Sequence, residues 1–232
     1  MCILAGDFLL AKAAVELSLL ESSPVTEIVA QGLEAICEGG MRAYNSTVAI
    51  TTDEEEALES LTLEAHLETV GESIAGLIAN VCQSSAILSG HEPDSVIAQA
   101  CKLYGEELAL ARHLVGEAEE IENAIRKSRR NPKKLPSLLP RGVHGVARAP
   151  ILIAAETYPE ARSILTGAAK GTDAPAHVAE LLERSDAVQK TRALAQEHVR
   201  AAAEAIEALP ASPTRDALVV LCHKVARGTP IK

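Results

Sequence analysis

"LLERSDAVQKTRALAQEHVRAAAEAIEALPASPTRDALVVL", residues 181–221, decides the fold class. Its apolar residues recur at the three- and four-residue intervals of a single helix face. The spacing predicts two helices over 175–208, broken near Ser185–Asp186, and a last one in "SPTRDALVVLCHKVA" (212–226). Working outward, the same period covers most of the chain. Residues 2–21 form an apolar helix stopped near Ser22–Ser23–Pro24, and 25–43 a second that ends around Gly39–Gly40. A polar stretch follows, in which Thr52 or Asp53 caps the next helix and Glu54–Glu56 favour its first turn. Residues 62–89 read as one long amphipathic helix closed by Ser89–Gly90, and another runs from Ser95 to about Lys127. A short apolar helix extends from Pro150 to Glu156, and 128–149 is a loop rich in Pro, Gly and basic residues. No alternating strand pattern of convincing length occurs. The reading is all-α, with residues 1–232 as a single domain.

Composition agrees. Of 232 residues, 47% are apolar but only 2% are aromatic: Phe8, Tyr44, Tyr104 and Tyr158. The core must therefore be built from Ala, Leu, Val and Ile, which suits closely packed helices. Base stacking has little to work with, and a net charge of −10 argues against a polyanion binder, so no nucleic-acid partner is expected. The charge is uneven, since no acidic residue lies between Asn123 and Ala155 while Arg126, Lys127, Arg129, Arg130, Lys133, Lys134, Arg141 and Arg148 all do. That segment reads as a solvated basic loop or, through 126–148, as a surface for an acidic partner or anionic lipid.

The five cysteines, Cys2, Cys37, Cys82, Cys101 and Cys222, are scattered and never form a CxxC pair. They predict buried thiols in a reducing compartment, with neither a disulfide framework nor a zinc site. The seven histidines do not pair at metal-ligand spacing with cysteines or carboxylates, so no metal is expected. Cys222–His223 are sequence neighbours on different helix faces. No run reaches the about 18 apolar residues of a membrane span. The opening "MCILAGDFLLAKAAVEL" lacks the basic region of a secretory signal and carries Asp7; it looks like the interior of a helix whose upstream half is absent. Neither GxGxxG nor a P-loop is present, and no Gly-flanked nucleophilic serine.

Several segments, in order, carry a resemblance. "ILAGDFLLAKA" (3–13), "SIAGLIANVCQSSAILSG" (73–90), "APILIAAETYPEA" (149–161) and the 181–221 stretch are similar to the trans-isoprenyl (polyprenyl) diphosphate synthases. The resemblance implies an isoprenoid-synthase-like helical bundle, here lacking its N-terminal helices. It also implies a chemistry in which an allylic diphosphate ionises and condenses with isopentenyl diphosphate. That chemistry needs Mg²⁺, held by oxygen ligands from two facing Asp-rich motifs, to neutralise the leaving diphosphate. Carboxylates at i and i+4 share one helix face.

Residue by residue, Gly6, Asp7, Tyr104, Gly105, Ser185 and Asp186 match the family pattern and are expected to be structural. The second Asp-rich motif falls in "ELALARHLVGEAEEIE" (107–122), with its aspartates at Gly116, Glu117 and Glu120. One ligand is gone, two are lengthened, and Arg112–His113 replace the preceding aromatic–Gln pair. A diphosphate-binding Lys falls on Ser73, an expected Gln on Ala43, and the loop's Asp and Thr near Arg141 and Arg148. The expectation is therefore that Mg²⁺ binding is lost, that no cofactor and no catalytic residue remain, and that the carboxylates of 107–122 form a wet helix face.

The function expected on these grounds is a catalytically inactive accessory or structural subunit in a hetero-oligomer. Its partner would be an active polyprenyl diphosphate synthase chain of quinone side-chain synthesis, or the subunits of a respiratory complex. Localisation by resemblance is mitochondrial, soluble or peripheral. The alternatives are a module that binds a prenyl lipid or quinone, and an active Mg²⁺-dependent prenyltransferase.

Overall fold

The computed structural model describes residues 2–52, 62–130, 148–158, 161 and 180–228. The regular structure among the described residues is helical, as the periodicity predicts. In chain order the helices are α1 (Cys2–Ser18), α2 (Ser23–Thr52), α3 (Leu63–Val70), α4 (Gly76–Leu88), α5 (Val96–Arg130), α6 (Ala149–Thr157), α7 (Ala187–Ala205) and α8 (Pro213–Ala226). A π-helical turn, Gly71–Ala75, joins α3 to α4, and a 3₁₀ turn, Ile206–Ala208, follows α7. Residues 180–184 are also helical.

The longest helix, α5, is the axis of the fold. Its largest interfaces are with α7 and α4, and α6 and α8 pack on it as well. Leu114, Val115, Ala118 and Ile121 are sealed from solvent along its inner face. One cluster joins Ala118, Ile121 and Ile125 to Ile151–Ala155 of α6 and to Leu182, Ala187 and Val188. A second joins Tyr104 and Ala111 to Val199 and Ala202 of α7 and to Cys222 and Val225 of α8. Small residues allow the close approach. A Cβ on Gly105 would stand 2.8 Å from the Ile78 carbonyl oxygen and 3.0 Å from the Ala79 Cα. The glycine thus sets how tightly α4 and α5 cross.

Two helix starts lie where the sequence reading puts them, and each carries a serine cap. Ser95 Oγ accepts from the Ala98 amide at the start of α5, and Ser212 Oγ accepts from the Arg215 amide at the start of α8. The break before α7 lies at Ser185–Asp186, where Ser185 Oγ donates to the Leu182 carbonyl and Asp186 takes a left-handed φ of 51°.

Two expectations need correction. Gly39–Gly40 do not end α2, which continues to Thr52 because its glycine segment lies against the π-turn, with the Gly39 Cβ position 3.8 Å from Ser73. Thr52 lies within α2 as its last residue, and Asp53 with the helix expected after it lies outside the described residues. The 62–89 segment is not one α-helix. Its buried positions run His66, Val70, Ala75, Ala79 and Gln83, with one step of five residues across Gly71–Ala75. A Cβ on Gly76 would meet the Gly71 carbonyl oxygen at 2.8 Å, so the wide turn needs glycine there.

The cysteines are not uniformly buried: Cys222 is, Cys82 and Cys101 are half-buried, and Cys37 is exposed. Burial pushes the Cys82, Cys101 and Cys222 thiols up, away from the reactive thiolate. Most of the basic segment, 131–147 with Arg141, lies outside the described residues. Among the described residues no helix is long and apolar enough to cross a membrane.

Candidate functional site

Three helices converge on Glu117. Thr62 caps α3, its Oγ1 accepting from the Ala65 amide, and one turn later His66 points inward, 7% exposed. On α5, His113 and Glu117 stand four residues apart and share the face turned toward α3. At the start of α6, Arg148 is extended and Pro150 occupies the first turn, which leaves the Ala149 amide without an intrahelical acceptor. That amide donates to Glu117 Oε2 at 2.9 Å. The carboxylate therefore closes a helix N-terminus, where backbone partial charge favours an anion.

Glu117 is 8% exposed. Its Oε2 lies 3.2 Å from His66 Nε2, and its Oε1 lies 3.2 Å from His113 Nε2. The second contact lacks the alignment of a hydrogen bond, so the buried His113 Nε2 has no hydrogen-bond partner. Burial pushes the Glu117 carboxyl up, but the contacts with His113 and His66, the His66 charge and the Ala149 amide outweigh it and hold it at about 2. Glu117 is thus an ionised carboxylate inside the bundle, flanked by two imidazoles whose rings stand 5.8 Å apart.

Three other carboxylates of 107–122 also have partners. Glu120 is paired with the Arg148 guanidinium and Glu122 is held bidentately by Arg192 at 2.7 and 3.0 Å. Glu107 lies 2.7 Å from His198 Nδ1. The expectation of a wet helix face holds for the exposed Glu120 and Glu122 and is corrected for Glu117, which is buried, and for the half-buried Glu107. Composition shows charge along α5 but not which turn faces α3 and α6.

The remaining sequence-derived positions stand apart from this cluster. Ser73 lies in the π-turn, its Oγ donating to the Thr69 carbonyl at 2.7 Å. Tyr104 is buried with its hydroxyl donating to the Leu218 carbonyl at 3.4 Å, and burial pushes that hydroxyl up. Gly105 sets the α4–α5 crossing, Ser185 and Asp186 make the turn before α7, and Gly6 and Asp7 lie exposed on α1. Ala43 falls on the last part of α2.

The histidines are the residues sequence reasoning missed. His113–Glu117 is an i, i+4 pair, contrary to the expectation that no histidine pairs with a carboxylate at ligand spacing. That spacing was visible in the sequence. His66 is 51 residues away, and only the α3–α5 packing brings it in.

The residues do not fit the Mg²⁺–diphosphate centre that the family resemblance implies at these positions. Gly116 has no oxygen to offer, Glu120 is tied to Arg148, and Glu117 faces two nitrogen donors and an amide. Mg²⁺ takes oxygen ligands and keeps much of its water.

Comparison with known proteins places this geometry. Residues 1–114 match the family described as Polyprenyl synthetase. The chain is 31% identical over 221 residues to mitochondrial solanesyl-diphosphate synthase 1 of Oryza sativa subsp. japonica, covering 94% of this chain and 47% of that protein. It is 32% identical over 230 residues to a probable mitochondrial hexaprenyl pyrophosphate synthase of Neurospora crassa, covering 98% and 48%. Its fold matches the apo form of an Arabidopsis medium/long-chain prenyl pyrophosphate synthase with a TM-score of 0.76 and 28% identity, over 97% of this chain and 72% of that one.

The chain spans about half the length of the curated relatives it matches. Their names overturn the expectation of a catalytically inactive accessory or respiratory-complex subunit, because chains this similar along nearly all of its length are named as synthases. The departures at Gly116, Glu117 and Glu120 describe one local centre and are no evidence of inactivity. In its sequence along nearly its whole length and in its helical bundle, the chain is similar to the trans-isoprenyl (polyprenyl) diphosphate synthases, and residues 1–114 carry the match to that family.

Proposed function

We propose that this chain works in the synthesis of a long-chain polyprenyl diphosphate, in which isopentenyl units are added to an allylic diphosphate. The observation that carries the reading is likeness along 94–98% of the chain to proteins named as solanesyl and hexaprenyl synthases. Small apolar side chains favour it too, since a bundle walled by Ala, Leu, Val and Ile offers an apolar surface to a growing prenyl chain. The reading places no step on Glu117 or Glu120.

The chain works beside a protein partner. On α1, Ile3, Leu4, Phe8, Leu9, Leu10 and Val15 are each more than half exposed, an apolar face that favours association. A mitochondrial site of action follows the names of the two relatives.

The test is an extension assay. The chain, alone and co-purified with whatever it associates with, is incubated with farnesyl diphosphate, labelled isopentenyl diphosphate and Mg²⁺, and products are separated by length. Long-chain products that require this chain are expected. A preparation whose product yield and length are the same with and without it overturns the reading.

A further inference from the structure

The Glu117 cluster has the composition and spacing of a transition-metal site. We propose that His66, His113 and Glu117 bind a borderline divalent cation of the zinc class, through two imidazole nitrogens and one carboxylate oxygen. This inference holds independently of prenyl transfer.

Geometry supports it first. Zinc takes nitrogen and carboxylate ligands at about 2.0–2.2 Å, which sets neighbouring donors of a tetrahedron about 3.3 Å apart. His66 Nε2 and His113 Nε2 each stand 3.2 Å from a Glu117 oxygen. One donor atom from each of the three residues lies within 4.8 Å of the other two. Small side-chain rotations complete the set without moving a helix.

The surroundings supply what such a site needs. The Ala149 amide fixes one carboxylate oxygen from outside the donor set, the role usually taken by a group behind a metal ligand. His113 Nε2 is a buried nitrogen with no hydrogen-bond partner, turned toward the other two donors. Its side chain is 29% exposed, against 6% and 10% for His66 and Glu117. The ion therefore has an entry path, and the fourth position is left to water or another oxygen ligand.

The choice of metal follows from the donors. Imidazole nitrogens favour zinc, cobalt, nickel and iron over Mg²⁺, which binds oxygen. The cation would tie α3, α5 and the start of α6 together, and added metal should raise the unfolding temperature of the chain.

Cobalt gives the direct readout. The full chain is stripped with chelator and titrated with Co²⁺ without substrates, followed by visible absorption and calorimetry, then challenged with Zn²⁺ and with excess Mg²⁺. We expect one equivalent with the intense visible bands of a four-coordinate Co²⁺ ion, displaced by Zn²⁺ and untouched by Mg²⁺. His113→Ala, which removes the most exposed ligand, should weaken binding at least ~100-fold with the helical circular dichroism unchanged. It should also abolish the rise in melting temperature with Zn²⁺. Absence of the cobalt bands in the wild-type chain overturns the proposal without reference to any variant. Equal binding by His113→Ala and wild type overturns it as well, and so does displacement of Co²⁺ by Mg²⁺. Activity is not read, so failure here leaves the extension assay to judge the proposed function separately.

Discussion

Helices α1 and α5 invert the usual link between composition and burial. α1, "CILAGDFLLAKAAVELS", carries only three charged residues, yet Leu4 is 71% exposed and Phe8 64%. α5 is rich in charge, yet it seals Leu114 and Ile121 completely and buries a carboxylate among them. Helix position in the bundle, and not apolar content, decides the energy of a side chain. α5 has neighbours on several sides, whereas α1 presents its apolar residues outward.

The sharpest way to break this contrast is truncation at matched positions. Leu114→Ala should cost about 2–5 kcal/mol, through lost burial and the cavity left behind. Phe8→Ala should stay within about 0.5 kcal/mol in the dilute isolated chain. Urea unfolding measures both. A large cost at Phe8 that disappears on dilution would place α1 in a self-associated interface.

Next is the buried charge of α5. With its folded value held at about 2 against an ordinary 4.5, Glu117 contributes stability that is fully present above pH 4.5 and is lost as pH falls through 2. A depression of that size corresponds to about 3 kcal/mol. Glu117→Gln should remove most of this and flatten the acid limb of a stability-against-pH curve measured in chelator. An acid limb identical to wild type would show that Glu117 is not the group responsible.

Glycines give a smaller test. Gly105→Ala forces a methyl group against the α4 backbone and should cost about 1–3 kcal/mol. Gly6→Ala meets nothing within 4 Å and should stabilise α1 by about 0.5–1 kcal/mol. Melting temperatures that move in opposite directions would sharpen the distinction between the two helices. The least effect belongs to the half-exposed Glu122–Arg192 pair, where Glu122→Gln should cost no more than about 1 kcal/mol, and less in high salt.

These contrasts also explain what the sequence makes legible. Helix period, the serine caps at Ser95 and Ser212 and the break at Ser185–Asp186 are local signals, and the helices obey them. Gly39–Gly40 mislead because the cost of glycine in a helix, about 1 kcal/mol each, is small beside the packing of α2 on the π-turn and α4. The candidate site is less legible for a different reason. His113 and Glu117 are close in sequence, but His66 and the Ala149 amide come from elsewhere in the chain, and the burial that gives the carboxylate its character comes with them. A row of glutamates reads as solvated until its neighbours are known.

The π-turn carries a consequence of its own. Its five-residue step stores one residue more than an unbroken helix would need between Val70 and Ala75. Deleting one residue there would let α3 continue α4 as a single regular helix, at the expense of turning α3 by about 100°. Everything after Gly76 would keep its seat against α5, while His66 would swing out of reach of Glu117. The segment acts as a phase setting, in which the length of one short turn decides whether two distant parts of the chain share a site.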